Sequence, residues 1–329
     1  MLFIDNKGIT DPRLNLAIEE YAVKHLDIEE SYLLFYINEP SIIIGKNQNT
    51  IEEINIDYVE DNHIHIVRRL SGGGAVYHDL GNLNFSFITK DDGDSFHNFR
   101  KFTEPVVEAL NKLGLNAELS GRNDLTANGF KISGNAQFST KGRMFTHGTL
   151  LFDTNMDEVV SALKVRKDKI ESKGIKSIRS RVANISDLIN SKMTIEEFRL
   201  FVLQNIFGGE SKIEEYVLTE ADWAAIHQIS KERYQNWEWN YGKSPAFNVE
   251  RSHRFPVGLI DIRLDVKKGK IEKTRIFGDF FGAGDVHEVE KALIGVNHEK
   301  EAIRRSLDSL NMQYYFGNVT LDDIVELIY

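Results

Sequence analysis

The segment RRLSGGGAVYHD at positions 68–79 has the clearest chemical signature in this chain. Its three consecutive glycines are costly, because glycine loses more conformational freedom on folding than any other residue. Such a run is useful where backbone must approach a ligand, since N–H groups of glycine-rich loops bind phosphate and carboxylate. Two arginines precede it, and arginine binds planar anions through paired hydrogen bonds. The segment predicts an anion-binding loop; the alternative is a flexible turn between two strands.

This loop is not one of the two common phosphate-binding loops. It lacks the spacing Gly-x-x-x-x-Gly-Lys-Ser/Thr of the P-loop, and three adjacent glycines do not give the spacing of the dinucleotide fingerprint. Gly45-Lys46 follows an apolar stretch but is too short to form a P-loop. An anion site here would therefore be of another kind.

Lys131 is the second candidate, in the segment KISGNA at 131–136. A lysine in an apolar alternating strand is unusual unless it is exposed or has a function. Its ammonium could hold a carboxylate and a phosphate together and stabilise charge that builds up between them. Nearby, Asn123 and Asp124 could orient Mg²⁺ or a ribose. The alternatives are an exposed lysine on an edge strand and an ordinary Asn-Asp turn.

Two further features carry polar chemistry: His147 in the segment HGTLL, and a basic run from Arg166 to Arg181. A histidine beside glycine is commonly a structural polar residue with its hydrogen bonds satisfied. The basic run suits a loop that closes over a phosphate or binds an acidic partner. Its alternative is a solvated face.

The composition excludes several classes of chemistry. There is no cysteine, so disulfides, thiolate metal sites and a cysteine nucleophile are ruled out. The formal net charge of −10 disfavours general binding to nucleic acid or anionic lipid. The N-terminus lacks a basic start followed by an apolar stretch, and no run has the roughly 18 apolar residues of a membrane helix. We therefore expect a cytoplasmic protein.

The elements that would position these residues follow an α+β order. A helix should begin at Asp11-Pro12, where a capping side chain precedes proline. Another should span Asn98–Leu113, and further helices should lie at 157–163, 194–205 and 219–233. The predicted strands are 32–37, 41–44, 63–68, 83–88, 117–120, 130–137 and 144–152, with a hairpin turn at 138–142.

A second pattern of elements follows a polar, aromatic segment at 234–248, which we interpret as a linker. Strands are predicted at 259–266 and 271–277, and helices at 286–294, 299–307 and 321–328. About 80 residues is an ordinary size for a small domain. The chain is therefore predicted to consist of a catalytic domain at 1–245 and an accessory domain at 246–329.

Taken together, these segments resemble the lipoate–protein ligase A family along the whole chain. The motifs that occur in the family's order are NLAIEE at 15–20, PSIIIGKNQN at 40–49, RRLSGGGAVYHD at 68–79, RNDL at 122–125, KISGNA at 131–136, HGTLL at 147–151 and KGIKSIRSRV at 173–182. Several motifs in one order are far more specific than any single motif.

The resemblance implies a fold and a reaction. The fold would be a biotin/lipoate ligase-like catalytic domain, related to class II aminoacyl-tRNA synthetases, with a small α+β C-terminal domain that moves between the two half-reactions. The cofactors would be ATP and Mg²⁺, and lipoic acid would be the substrate. Lipoate would first become lipoyl-AMP, with release of pyrophosphate, and the lipoyl group would then pass to a lysine of an acceptor protein.

The resemblance also implies roles for individual residues. Lys131 matches the family's indispensable lysine. The implied ATP- or adenylate-binding residues are Arg69, Gly74, Ala75, Val76, Tyr77, Arg122, Lys131 and Thr149. The implied lipoate-binding residues are Arg69, Ser71, Gly73, His78, Lys131 and His147. Asp124 is the candidate metal ligand.

Other functions remain open at this stage. A lipoyltransferase that accepts preformed lipoyl-AMP would have nearly the same site, whereas acyltransferases that use a covalent intermediate need a cysteine. A biotin ligase would carry a different arginine–glycine loop. A non-catalytic protein that sequesters lipoate or an acceptor would have little reason to keep Arg69, the glycine loop and Lys131 together.

The family implies acceptors of two kinds, the lipoyl domains of 2-oxo acid dehydrogenase E2 subunits and the glycine cleavage H protein. The protein is expected to act as a monomer, without nucleic acid or membrane. The use of octanoate, which lacks the dithiolane ring of lipoate, is left open by the sequence.

Overall fold

The structure is a computed structural model that describes residues 1–164, 181–241, 248–267 and 269–329. Most of the basic run from Arg166 to Arg181 lies outside the described residues, and so does the predicted domain boundary at 245/246. None of the helices in the described residues is long and apolar enough to cross a membrane.

Ten strands precede residue 152 and form two sheets. They are β1 (Leu2–Asp5), β2 (Tyr32–Ile37), β3 (Ser41–Ile44), β4 (His65–Arg68), β5 (Val76–His78), β6 (Asn82–Lys90), β7 (Ala117–Ser120), β8 (Asp124–Ala127), β9 (Phe130–Thr140) and β10 (Arg143–Leu151). The main sheet has the order β1-β2-β6-β10-β9-β8-β7, and the minor sheet has the order β4-β3-β5. In the main sheet only β1 and β2 are parallel.

Helices cover both faces of the main sheet. They are α1 (Pro12–His25), α2 (Thr50–Glu53), α3 (Ile56–Asp61), α4 (Phe99–Lys112), α5 (Met156–Ala162), α6 (Ile195–Phe207), α7 (Glu220–Ile229) and α8 (Trp237–Asn240). The carboxylate of Asp11 caps α1 by accepting from the N–H of Arg13, and Pro12 is its first residue, as predicted. Long helices on an antiparallel sheet give the expected α+β architecture.

The alternation of β6 decides which face becomes the core. Leu83, Phe85 and Phe87 pack into one hydrophobic cluster with residues of α4 and α6. Successive side chains of a strand point to opposite faces, so Asn82, Asn84 and Ser86 lie on the other face. There α1 and the minor sheet cover the main sheet. These polar side chains of β6 lie on the face of the main sheet that borders the candidate site.

The last part of the chain has its own hydrophobic core. Its elements are β11 (Val249–Phe255), β12 (Gly258–Lys267), β13 (Lys270–Gly278), α9 (His287–Leu293), α10 (Lys300–Leu307), α11 (Met312–Phe316) and α12 (Leu321–Ile328). β12 pairs antiparallel with both neighbouring strands. The sheet with its covering helices is the small α+β unit expected from the sequence.

Direct bonds hold this small unit against the larger one. Arg263 pairs with the carboxylate of Glu52 at 2.7 Å. The N–H of Gly278 donates to the carbonyl of Asn47 at 2.7 Å. The segment after β13 therefore approaches the glycine loop.

Several predicted boundaries were wrong, each for a local reason. β4 begins at His65 rather than at residue 63, because His63 has a left-handed backbone with φ 52° and Ile64 donates its N–H to Val59. β9 continues to Thr140, so the hairpin turn is shorter than predicted and consists of Lys141-Gly142, both with positive φ. The predicted helix at 219–233 is an α-helix only to Ile229 and continues as a π-helix at Ser230–Tyr234.

The sequence interpretation missed β1, α2, α3, β5, β8, β11 and α11. It also assigned Trp237–Asn240 to a linker, whereas these residues form α8 and bind the strand before the glycine loop. β5 and β8 were hidden because their three or four residues lie inside motifs interpreted as loops.

Candidate active site

A cavity of about 360 Å³ lies between the polar face of the main sheet and the minor sheet. That volume is in the usual range of small-molecule sites. All but two of the residues proposed from the sequence line it: Arg69, Gly73, Gly74, Ala75, Val76, His78, Arg122, Asp124, Lys131, His147 and Thr149. Segments distant in the sequence thus converge on one cavity.

The two exceptions are Tyr77 and Ser71. Tyr77 is buried in the cluster on the far side of the minor sheet, and its hydroxyl donates to Glu158. Burial and this carboxylate raise the pKa of Tyr77. The side chain of Tyr77 therefore does not line the cavity. The side chain of Ser71 is enclosed between Arg69 and His147.

Arg69 organises the glycine loop from behind. Its guanidinium donates to the carbonyls of Gly72 at 2.7 Å and Gly74 at 2.8 Å. In a trans peptide the N–H points opposite to the carbonyl, so the N–H groups of Gly73 and Ala75 face away from Arg69. The loop is thereby held with two N–H groups turned to one side. Burial lowers the pKa of Arg69 to about 10, and the residue stays charged at neutral pH.

Arg68 turns the other way and has a structural role. Its guanidinium donates to the carbonyls of Gly45 and Gln48, at 2.9 and 2.7 Å, and to the hydroxyl of Thr50 at 2.7 Å. Its own carbonyl accepts from the indole N–H of Trp239 in α8 at 2.8 Å. Arg68 therefore ties the 45–50 segment to α8.

We expect Arg68→Met to destabilise the protein by about 2–4 kcal/mol, because several buried carbonyls would lose their donor. Thermal or denaturant unfolding measures this loss. Arg100→Met is a matched control, since Arg100 is an exposed residue of α4 whose ion pair within the described residues is with Glu104, and removing such a pair costs about 0–1 kcal/mol. Equal stability of the two variants would contradict the structural role of Arg68.

A row of buried polar groups anchors the loop to α1 and β10. Ser71 Oγ lies 2.7 Å from His147 Nε2 and accepts from Arg69 Nε at 3.0 Å. His147 Nδ1 lies 2.9 Å from the carboxylate of Glu19. Sequence analysis missed Glu19, although a glutamate in the buried stretch NLAIEE of α1 was a usable signal. This row fixes the loop relative to the cavity floor.

Lys131 and Asp124 lie at the polar end of the cavity. Lys131 Nζ is 2.8 Å from Asp124 Oδ1, and the two side chains are 40% and 39% exposed. They are thus accessible to a ligand, and little stability depends on the pair. The hydroxyl of Thr149 accepts from the N–H of Gly134 at 3.2 Å, beside Lys131.

The small unit contributes two residues that sequence analysis did not propose, Asp279 and Phe281. The ring of Phe281 lies 4.4 Å from the guanidinium of Arg122. A Cβ on Gly73 would come within 2.8 Å of the same ring. In this arrangement Phe281 packs on the glycine loop and borders the cavity.

Leu16, Ile43 and Tyr36 line the cavity and belong to one hydrophobic cluster. Tyr36 lies on β2, which β6 and β10 separate from Lys131 on β9, so the opposite end of the cavity is largely apolar. His78 also lines it, and burial lowers the pKa of His78 to about 3, so this histidine is neutral. The cavity therefore has one charged end and one mostly uncharged end. It suits an elongated molecule with an anionic head and an apolar tail.

Among the described residues, no group of three or more His, Asp or Glu side chains could hold a metal ion by itself. Asp124 is a single carboxylate beside Lys131. Nucleotide sites commonly hold Mg²⁺ through one or two carboxylates together with phosphate oxygens. Asp124 fits that limited role.

Comparison with known families gives two matches that follow one another along the chain. Residues 11–207 match the lipoyl protein ligase A/B catalytic domain, and residues 244–328 match the bacterial lipoate protein ligase C-terminus. The chain is 69% identical to the lipoate-protein ligase LplJ of Bacillus subtilis and 56% identical to lipoate–protein ligase 1 of Staphylococcus aureus, with 100% of both chains covered in each case.

Solved structures that are similar to this chain include the following three. LipL1 of P. falciparum in complex with lipoate has 26% identity and a TM-score of 0.78, covering 99% of this chain and 98% of that one. The bi-partite lipoate protein ligase of Thermoplasma acidophilum, studied with its E2 lipoyl domain, has 34% identity and a TM-score of 0.65, covering 75% and 98%. A lipoate-protein ligase A bound with ATP has 32% identity and a TM-score of 0.61, covering 74% and 97%.

Proposed function

This chain belongs to the lipoate–protein ligase family, and we propose that its cavity carries out both half-reactions of an ATP-dependent lipoate–protein ligase. In the first, an oxygen of the lipoate carboxylate attacks the α-phosphorus of ATP, and the bond to pyrophosphate breaks. In the second, the amine of an acceptor lysine attacks the carbonyl of lipoyl-AMP, AMP leaves, and the amine loses a proton. The supporting observation is that the glycine loop, Arg122, Lys131 and an apolar tail space all border one cavity.

The glycine loop is assigned to the phosphate of the adenylate. Arg69 turns the N–H groups of Gly73 and Ala75 to one side, where they can donate to phosphate oxygens without reorganising during the reaction. Arg69 then acts mainly by positioning the loop. Arg122 and Thr149 are assigned to the adenylate from the opposite wall.

Lys131 is assigned to the junction between carboxylate and phosphate. Its ammonium is held by Asp124 at the charged end of the cavity, so it can neutralise oxygens of both groups. Asp124, with phosphate oxygens, would hold Mg²⁺, which supplies further neutralisation of the polyphosphate when bound. Positioning and electrostatics would carry the rate, and no covalent enzyme intermediate is required.

The lipoate tail is assigned to the uncharged end. With the carboxylate at Lys131, the tail extends toward Leu16, Ile43 and His78, which line the same cavity. Burial of apolar surface there contributes binding energy of about 25 cal/mol per Å². Ser71 supports this end indirectly through His147.

Acceptors are proteins, and we assign E2 lipoyl domains and the glycine cleavage H protein as the candidates. The Thermoplasma acidophilum ligase was studied with its E2 lipoyl domain, which supports the first of these. The division into domains at 245/246, the monomeric state and a cytoplasmic location stay predictions of the sequence.

Incubation of each candidate acceptor with the protein, ATP, Mg²⁺ and lipoate should add one lipoyl group to a single lysine. Intact-mass and peptide mass spectrometry measure the product. An acceptor whose target lysine is replaced by arginine is the control and should remain unmodified. Absence of any modified acceptor would contradict the proposed function.

Exchange of labelled pyrophosphate into ATP, dependent on lipoate, separates a ligase from a transferase. A ligase catalyses this exchange without acceptor, because the first half-reaction is reversible. Transfer from synthetic lipoyl-AMP without any exchange would show that only the second half-reaction takes place.

A further inference from the structure

His78 has a hydrogen-bond donor that no described residue accepts. The side chain is 4% exposed and lines the apolar end of the cavity. Its Nε2 is buried without a hydrogen-bond partner in the described part of the chain. A buried donor in this state costs about 1–3 kcal/mol, and native proteins seldom leave one without a reason.

A relay of asparagines determines which ring nitrogen of His78 carries the proton. Asn15 donates one hydrogen of its Nδ2 to the carbonyl of Ile9 at 2.9 Å, and the carbonyl of Ile37 lies 3.3 Å from the same nitrogen. Two carbonyl oxygens on this side require the amide nitrogen, not the amide oxygen, to face them. This nitrogen also donates to Asn38 Oδ1 at 2.9 Å, which turns Asn38 Nδ2 toward His78 Nδ1 at 2.9 Å. Nδ1 is therefore the acceptor, and the proton of the neutral ring is on Nε2.

The relay is itself anchored. Asn6 Nδ2 donates to Asn15 Oδ1 at 2.9 Å and to the carbonyl of Ile9 at 2.8 Å. Asn6, Asn15 and Asn38 are buried, so little water competes for these bonds. The tautomer of His78 is thus determined before any substrate binds, and reversing it would break a chain of buried hydrogen bonds.

We infer that His78 is a specificity-determining residue, whose Nε2–H donates to a sulfur of the dithiolane ring and favours lipoate over octanoate. This inference rests on the proposed function, which puts the carboxylate at Lys131 and the tail at the opposite end. Along that tail the two ring sulfurs are the only atoms that can accept a hydrogen bond, and divalent sulfur is a weak acceptor. Octanoate offers only C–H groups and leaves the donor without a partner.

The expected discrimination is modest. Sites that hydrogen-bond a substrate group disfavour an analogue that lacks it, because the protein donor is then left unpaired. With a weak acceptor, kcat/KM should differ by about fivefold to tenfold. The bond exists in the bound ground state as well as in the transition state, so most of the difference should appear in KM.

The test compares lipoate with its carbocyclic analogue, in which both ring sulfurs are replaced by methylene groups. The two acids have nearly the same shape, so their ratio of kcat/KM isolates the hydrogen bond. The full-length wild-type enzyme should prefer lipoate by the stated factor, and His78→Phe should bring the ratio close to one. Because both substrates are measured with the same preparation, any loss of folded protein cancels.

Ile43→Val is the matched control, since it trims the same wall without changing a polar group. It should reduce turnover of both acids equally and preserve the wild-type ratio. A wild-type enzyme that treats the two acids alike, or a folded His78→Phe enzyme with the wild-type ratio, would overturn the inference. Failure of the proposed function would look different, because no lipoate would then be transferred at all.

A second measurement uses only the wild-type chain, in case His78→Phe does not fold. Histidine ring ¹H–¹⁵N spectra should show one ring with its proton on Nε2 and a low pKa. That proton should shift on binding lipoate and hardly change with the carbocyclic analogue. An equal response to both ligands would overturn the inference.

Discussion

Lys131→Ala should abolish lipoylation of the acceptor, with a loss of at least about 100-fold in each half-reaction. The lysine lies at the charged end of the cavity, where we propose that the carboxylate and the α-phosphate meet. Without its ammonium, the charge that develops between these two anions loses the lysine cation that we assign to their junction. Pyrophosphate exchange and transfer from synthetic lipoyl-AMP measure the two half-reactions separately.

The fold should survive this change, because Lys131 is 40% exposed and its ion pair with Asp124 is accessible to water. Lys90→Ala is a matched control, since Lys90 is also an exposed strand lysine paired with a carboxylate, that of Glu29, but lies outside the cavity. It should behave as wild type. A folded Lys131→Ala protein with normal turnover in both steps would refute the assignment.

Gly74→Val should weaken ATP or adenylate binding at least tenfold while changing the melting temperature by less than about 2 °C. A Cβ built on Gly74 meets no atom of the described residues within 4 Å, apart from those of its two neighbours in the chain. Gly74 lines the cavity, so the added methyl groups would occupy space that the ligand needs. Isothermal calorimetry and thermal unfolding of the same preparation measure the two effects.

Gly73→Ala is the contrasting control, and it should lower stability itself. Gly73 has a left-handed backbone with φ 92°, and its Cβ would also press on the ring of Phe281. We expect a loss of about 1–2 kcal/mol from the backbone alone. If Gly74→Val kept normal nucleotide affinity, the loop would be an ordinary turn.

The sequence predicted those parts of the site that depend on local chemistry. The glycine run was recognisable because three adjacent glycines lose much conformational entropy on folding. Lys131 was recognisable because a lysine is unusual in an apolar alternating strand. The fold class followed from the element pattern and from the family resemblance, and the matched domains and structural neighbours confirm it.

What the sequence did not reveal depends on contacts between distant segments. Arg68 and Arg69 are adjacent and chemically identical, yet strand alternation sends one to α8 and the other to the glycine loop. Glu19 and Asn38 matter only because α1 and the 38–40 turn come next to two histidines. Phe281 contacts the glycine loop from a distant part of the sequence, and no local sequence pattern predicts such a contact.

The hydrogen bond from the indole of Trp239 to the carbonyl of Arg68 also provides an intrinsic fluorescent probe near the glycine loop. The chain has three tryptophans, at positions 223, 237 and 239, and none in the small unit. Fluorescence excited at the long-wavelength edge of the tryptophan absorption band therefore comes from the larger unit alone. One of these indoles is hydrogen-bonded to the residue directly before Arg69, so its emission is coupled to the backbone that carries the glycine loop. Unlabelled protein thus contains an optical reporter close to the glycine loop, to which we assign the adenylate, while the small unit contributes no tryptophan emission.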